Sequence, residues 1–118
     1  MNIDSRNYLY LTKECKRRFD IDAQGNLLDV NSKACALPDY PDSDNSRVKV
    51  SYANCGQTKS RFSKVVDGNH SFIRHVSGRC FHPLNGSSRP AADTPIVTYK
   101  GCSGTRLSFK WLKYPSDL

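Results

Sequence analysis

Val48, Val50 and Tyr52 alternate with Arg47, Lys49 and Ser51, a spacing of two that predicts a half-buried strand with its cations in solvent. Leu107, Phe109 and Trp111 alternate with Arg106, Ser108 and Lys110 in the same way. Turn signals punctuate the chain at Gln24-Gly25-Asn26, Asp67-Gly68-Asn69, Asn85-Gly86 and Ser103-Gly104. Residues 38–46 and 83–94 are rich in Pro, Asp, Asn and Ser and read as long loops. No segment sustains a 3.6-residue apolar period, so the pattern predicts an all-β fold of short strands and long loops. No apolar run exceeds four residues, as at 8–11 and 34–37, which excludes a membrane-spanning helix. Nothing near Met1 resembles the apolar stretch of a signal peptide.

A chain of 118 residues is one domain. Aromatic residues make up 10% of it, more than a disordered chain carries. The net charge of +7 is one-sided. Residues 1–55 hold eight Lys/Arg against eight Asp/Glu, whereas 56–118 hold ten against three. A basic half attracts polyanions or acts as a solubilising surface. Its cations are dispersed singly among apolar residues, which argues against a dedicated nucleic-acid arm.

The five cysteines lie at 15, 35, 55, 80 and 102, without a C-x-x-C, so a zinc ribbon or a thioredoxin-like site has no support. Their intervals expose a repeat. Residues 27–35 lie without a gap over 72–80, each ending in a cysteine after a matched serine (Ser32, Ser77). Residues 47–55 parallel 95–102, and seven residues beyond each trailing cysteine comes Phe62 or Phe109. Cys15, preceded by residues 8–14 and followed by Phe19, fits the trailing phase. The chain thus reads as the second half of one repeat (about 1–22) and two whole repeats (23–66 and 67–113) within one domain, 1–118. Cys35 with Cys55, and Cys80 with Cys102, each bracket one long loop and are expected to bond. A bridge closing about 20 residues stabilises by ~3 kcal/mol in the chain-entropy picture. Two bridges imply an oxidising, extracellular compartment, with Met1 starting a piece of a longer secreted chain. Cys15 is left either as a buried thiol or as an interchain bridge.

A repeat of this length, with Gly-Arg-Cys (Gly78-Arg79-Cys80), a long loop, a second cysteine and then an aromatic strand, resembles the R-type, ricin B-like β-trefoil lectins. The third repeat, Ser77-Gly78-Arg79-Cys80-Phe81-His82-Pro83 and its Asn85-Gly86 loop, also resembles the mussel lectins called mytilectins. The resemblance implies a β-trefoil-like fold, with Phe19, Phe62 and Phe109 replacing the family's Gln-x-Trp and converging in the core. It implies carbohydrate binding without catalysis. The chain departs from the pattern where relatives carry an Asp after the first cysteine, and where mytilectins carry His-x-Asp-x-His. The expected remedy for the incomplete first repeat is an upstream segment, residues 1–8, or another chain.

A sugar site needs an aromatic face for pyranose C–H groups and polar groups for hydroxyls. His82, Asn85, Asp93 and Tyr99 are the candidates in the third repeat, and Asp39 and Tyr40 in the second. His82 and Asp93 would take hydroxyls while Tyr99 offers its ring, and Arg79, Arg89 and Lys100 would bias the loop towards acidic or sulfated glycans. The runner-up is an adhesion or assembly module binding protein through the basic half or Cys15. No Ser or Cys nucleophile motif accompanies His70, His75 and His82, so the chain is read as no enzyme. Asp39, Asp42 and Asp44 lack the glycine of a calcium loop, and no metal or cofactor is expected. Asn69-His70-Ser71 and Asn85-Gly86-Ser87 are formal glycosylation sequons.

Overall fold

The computed structural model describes residues 1–13, 17–68, 70–86, 90–102 and 106–107. Among these residues the regular structure is strands and three single 3-10 turns, with no α-helix. The strands are β1 (Asn2–Ile3), β2 (Leu9–Tyr10), β3 (Phe19–Ile21), β4 (Leu27–Asp29), β5 (Cys35–Pro38), β6 (Ser46–Ser51), β7 (Phe62–Asp67), β8 (His70–His75), β9 (Cys80–Pro83) and β10 (Ile96–Tyr99). No described helix is long and apolar enough to cross a membrane.

Strands β3 to β10 form one antiparallel sheet in the order β3-β4-β5-β6-β10-β9-β8-β7. Its two ends approach each other, since Asn26 bridges Arg61 and the Phe62 N–H donates to Gly25 O at 2.7 Å. The sheet is therefore nearly closed and barrel-like, which leaves little of its edge unpaired. The β1–β2 hairpin joins it through bridges from Tyr8 to Lys49 and from Tyr10 to Pro95. Inside lie Leu9, Leu27, Ala36, Val48, Val50, Phe62, Ile73, Phe81 and Ile96. The predicted alternation holds in β6, where Val48 and Val50 are buried and Lys49 is exposed. It ends one residue early. Tyr52 opens a 3-10 turn instead of continuing the strand and is 67% exposed.

Both expected disulfides are present, with Cα separations of 5.1 Å for Cys35–Cys55 and 5.4 Å for Cys80–Cys102. Cys15, Asn69, Arg89, Phe109 and Trp111 lie outside the described residues. Phe62 is buried and Phe19 is half-buried against the same core.

The gapless alignment of the two leading segments needs one correction. Leu28 pairs with Cys35, whereas Arg74 pairs with Cys80. The Asp29 N–H donates to Ala34 O and the His75 N–H to Arg79 O. Asp29 is thus the counterpart of His75, and the turn in the second repeat is one residue longer. Phe19 pairs with Asp29 and Phe62 with His75, so the two phenylalanines hold equivalent rungs. Each turn closes on a left-handed residue, Gly78 at φ 92° and Lys33 at φ 67°. Glycine adopts that conformation freely, and a lysine there costs free energy.

Asp29 and His75 are both buried polar side chains, and each is satisfied differently. Burial pushes the Asp29 carboxyl up, but the Asn31 N–H and the Arg17 guanidinium at 2.7 Å outweigh it and hold it below the usual carboxylate range. His75 is kept neutral. Its Nε2–H donates to the Lys59 carbonyl, which leaves Nδ1 to accept from the Ser77 hydroxyl at 2.7 Å and the Ser77 N–H at 3.2 Å. Burial lowers its pKa below 6.5, against a smaller upward pull from the Lys59 carbonyl. The unfolded chain therefore takes the proton first. The His75 contribution to stability is complete above pH ~6.5 and falls below that by up to about 1.4 kcal/mol per pH unit, until the folded imidazole itself protonates. Urea unfolding between pH 7.5 and 5 should show this decline, and His75→Gln should flatten it. A wild-type profile that is level over that range would refute the assignment.

Candidate functional site

The candidate site stands on β9 and β10, which pair from Ile96 with Pro83 to Tyr99 with Cys80. The bridge between Cys80 and Cys102 fixes the two ends of the intervening loop. After β9 the chain turns through Leu84–Gly86, where Asn85 takes φ 68° and remains exposed. His82 is buried, and its Nε2–H donates to Gly101 O at 2.9 Å, which fixes the orientation of the ring. Tyr99 meets His82 edge to face at 5.7 Å between centroids. These groups surround a cavity of about 300 Å³ lined by Asn45, His82, Pro83, Asn85, Gly86 and Tyr99.

Three of the sequence candidates, His82, Asn85 and Tyr99, come together here. Asp93 does not line the cavity. It sits exposed at φ 69°, and its N–H donates to Leu11 O at 2.8 Å on the β2 side. Asn45 takes the place expected of it. Asn45 and Asp93 are counterparts, each two residues before the aligned pair Arg47 and Pro95, and Asn45 is also left-handed at φ 58°. Because β10 pairs with β6, with Thr98 opposite Ser46, the end of the 38–46 loop abuts the His82 cavity. The repeat alignment contained the signal for Asn45, but not the strand pairing that assigns it to its neighbour.

In the second repeat the corresponding positions carry Leu37 for His82, Tyr40 for Asn85 and Ser51 for Tyr99. Tyr40 is 70% exposed, and its backbone N–H donates to Ser46 Oγ at 2.8 Å. The Asp39 carboxylate accepts from the Tyr8 hydroxyl and raises that phenol's pKa. Arg47 stacks over the Tyr8 ring at 4.5 Å. Neither Asp39 nor Tyr40 lines the His82 cavity, and Asp39 is already engaged.

The cavity offers, among the described residues, two amides, each both donor and acceptor, an imidazole and a phenol ring, and no carboxylate. Among the described residues, the Asn45 and Asn85 side chains make no hydrogen bond, and no cluster of His, Cys, Asp or Glu could hold a metal. Such a lining suits a neutral, hydroxyl-rich ligand.

A family model described as MytiLec, alpha-D-galactose-binding lectin, matches residues 32–112 and so spans the whole site. The chain belongs to this family. The MytiLec match covers more than half the chain and includes both disulfide loops. Among curated proteins, none matches the chain. Membership in MytiLec makes the protein a member of a carbohydrate-binding lectin family, in keeping with the glycan partner that the sequence suggested. The two disulfides are compatible with an extracellular setting.

Proposed function

We propose that the protein is a secreted, non-enzymatic lectin that binds a galactoside in the cavity between the second and third repeats. The observation that carries this reading is the cavity itself, of a size within the roughly 300–1,000 Å³ of small-ligand sites and lined by His82, Asn45, Asn85 and Tyr99. It lies inside the segment matched by an alpha-D-galactose-binding family. Asn45 and Asn85 exchange hydrogen bonds with sugar hydroxyls, Tyr99 packs its ring on the pyranose C–H face, and His82 forms the wall.

The frame is read as β-trefoil-like, of the R-type. Supporting this, Leu9, Val48 and Ile96 are all fully buried at aligned positions in three strands. Neighbouring strands also meet at like positions, Lys49 with Tyr8, Val97 with Arg47 and Tyr10 with Pro95. An acidic or sulfated galactoside gains from Lys100, exposed beside Tyr99 and Gly101, and from the basic second half. Arg79 adds less to this, because Asp44 already holds it at 2.9 Å.

Calorimetry with methyl α-D-galactopyranoside is the test. Binding is expected, with Asn85→Ala and Asn45→Ala each weakening it about tenfold, the loss of one or two hydrogen bonds. Both residues are exposed, so the folded state should survive either change. Binding that persists at ~0.5 M salt marks a pocket with defined hydrogen bonds, whereas binding that vanishes there marks polyanion attraction. Failure to bind any neutral or acidic glycan would reject the lectin reading in favour of a protein-assembly module.

A further inference from the structure

We propose that Asp44 is a positioning residue that fastens the second repeat's loop to the third repeat and so holds Asn45 at the mouth of the His82 cavity. The inference rests on the sugar-site reading above and adds to it the device that assembles the site from two repeats. Asp44 Oδ1 accepts from Arg79 Nε at 2.9 Å and from the Lys100 N–H at 3.0 Å. One partner precedes Cys80 and the other follows Tyr99, its cross-strand partner, so a single carboxylate oxygen holds both strands at one end of the β9–β10 ladder. Asp44 and Arg79 are each only partly exposed, at 30% and 20% of their side chains, which shields the pair from full solvent screening. Asn45 follows directly, in the left-handed conformation that leaves its amide at the cavity.

The other two carboxylates of the loop go elsewhere. Asp39 accepts from Tyr8, and Asp42 pairs with Lys59 at 3.2 Å on the exposed surface. In the second repeat Ala34 stands where Arg79 stands, one residue before the leading cysteine, and the ion pair towards the first strands is made instead by Arg47 and Asp4 at 3.3 Å. A hollow of about 340 Å³ lies there, bordered by Asp4, Asn7, Arg17, Ala34 and Ser51. Arg79 and Lys100 are the charged groups that face Asp44. Burial pushes its carboxyl up, but the Arg79 hydrogen bond and the Lys100 N–H prevail and hold it below the usual range, so the latch is ionised at neutral pH.

The experiment compares Asp44→Ala, Asp44→Asn and the loop control Asp42→Ala in the full chain, reading methyl α-D-galactopyranoside affinity and amide hydrogen exchange. Asp44→Ala should weaken binding about tenfold and speed exchange at Lys100, because both of its hydrogen bonds go. Asp44→Asn keeps an acceptor and should recover most of that affinity at neutral pH, and Asp42→Ala should bind as wild type. Wild-type affinity should hold down to pH ~5 and fall only below the ordinary carboxylate range near 4, a fall that Asp44→Asn lacks. Asp44→Ala binding as tightly as wild type, while Asn45→Ala binds weakly, would overturn the positioning role. A wild-type chain that binds no galactoside would reject the lectin reading. The exchange arm then decides the latch alone, and unchanged Lys100 protection in Asp44→Ala overturns it.

Discussion

Phe62→Ala is expected to cost about 3–5 kcal/mol of stability. Phe62 is 5% exposed and packs edge to face against His75 at 5.0 Å and Phe81 at 5.5 Å between centroids. It also stands at the seam where the two ends of the sheet meet, its N–H on Gly25 O. Truncation therefore opens a cavity beside two buried rings and loosens the closure of the barrel. Phe19→Ala, on the equivalent rung but half-buried, should cost distinctly less. Urea unfolding of both variants checks this, and a Phe62 loss below about 1 kcal/mol would mean that the seam carries no core.

The second large effect concerns the bridge between Cys80 and Cys102. Replacing both cysteines by serine reopens a loop with a sequence separation of 22, which costs about 3 kcal/mol in the chain-entropy picture. Here the bridge also governs the site. It sits beside Gly101, whose carbonyl orients His82, and beside the rung that pairs Tyr99 with Cys80. The double variant should lose sugar affinity even at temperatures where it stays folded, whereas the matching change at Cys35 and Cys55 should lose stability with less effect on the cavity. Equal losses of affinity from both would show that the cavity responds to global softening and not to its own bridge.

Much of this was legible in the residues because it depends on local alternation and on phase. Strand β6, the two cysteine pairs and the gathering of His82, Asn85 and Tyr99 follow from period-two patterning and from the repeat. Two things did not. The Asp29–His75 equivalence was hidden by a single extra residue in a tight turn, a change that leaves both cysteines and both serines in register. The membership of Asn45 in the cavity, and the exclusion of Asp93, depend on which strand lies beside which. Strand neighbours such as β6 and β10 are 50 residues apart at the Val97–Arg47 rung, so nothing in the local sequence announces them. Tyr52 illustrates the remaining kind of miss. Its apolar ring continued the alternation, but the Ser51 hydroxyl accepts the Ala53 N–H and starts a turn instead.

The placement of the two bridges also fixes how the molecule bears load. Each closes within one repeat, across separations of 20 and 22 residues, and neither joins one repeat to the next. Tension applied between the two ends of the chain runs along the backbone. Under such tension the bridged loops cannot pay out, which withholds roughly 70 Å of extension apiece at about 3.5 Å per residue. The force passes instead to the hydrogen bonds and buried side chains between repeats, and the boundary that contains the cavity is one of those that bear it.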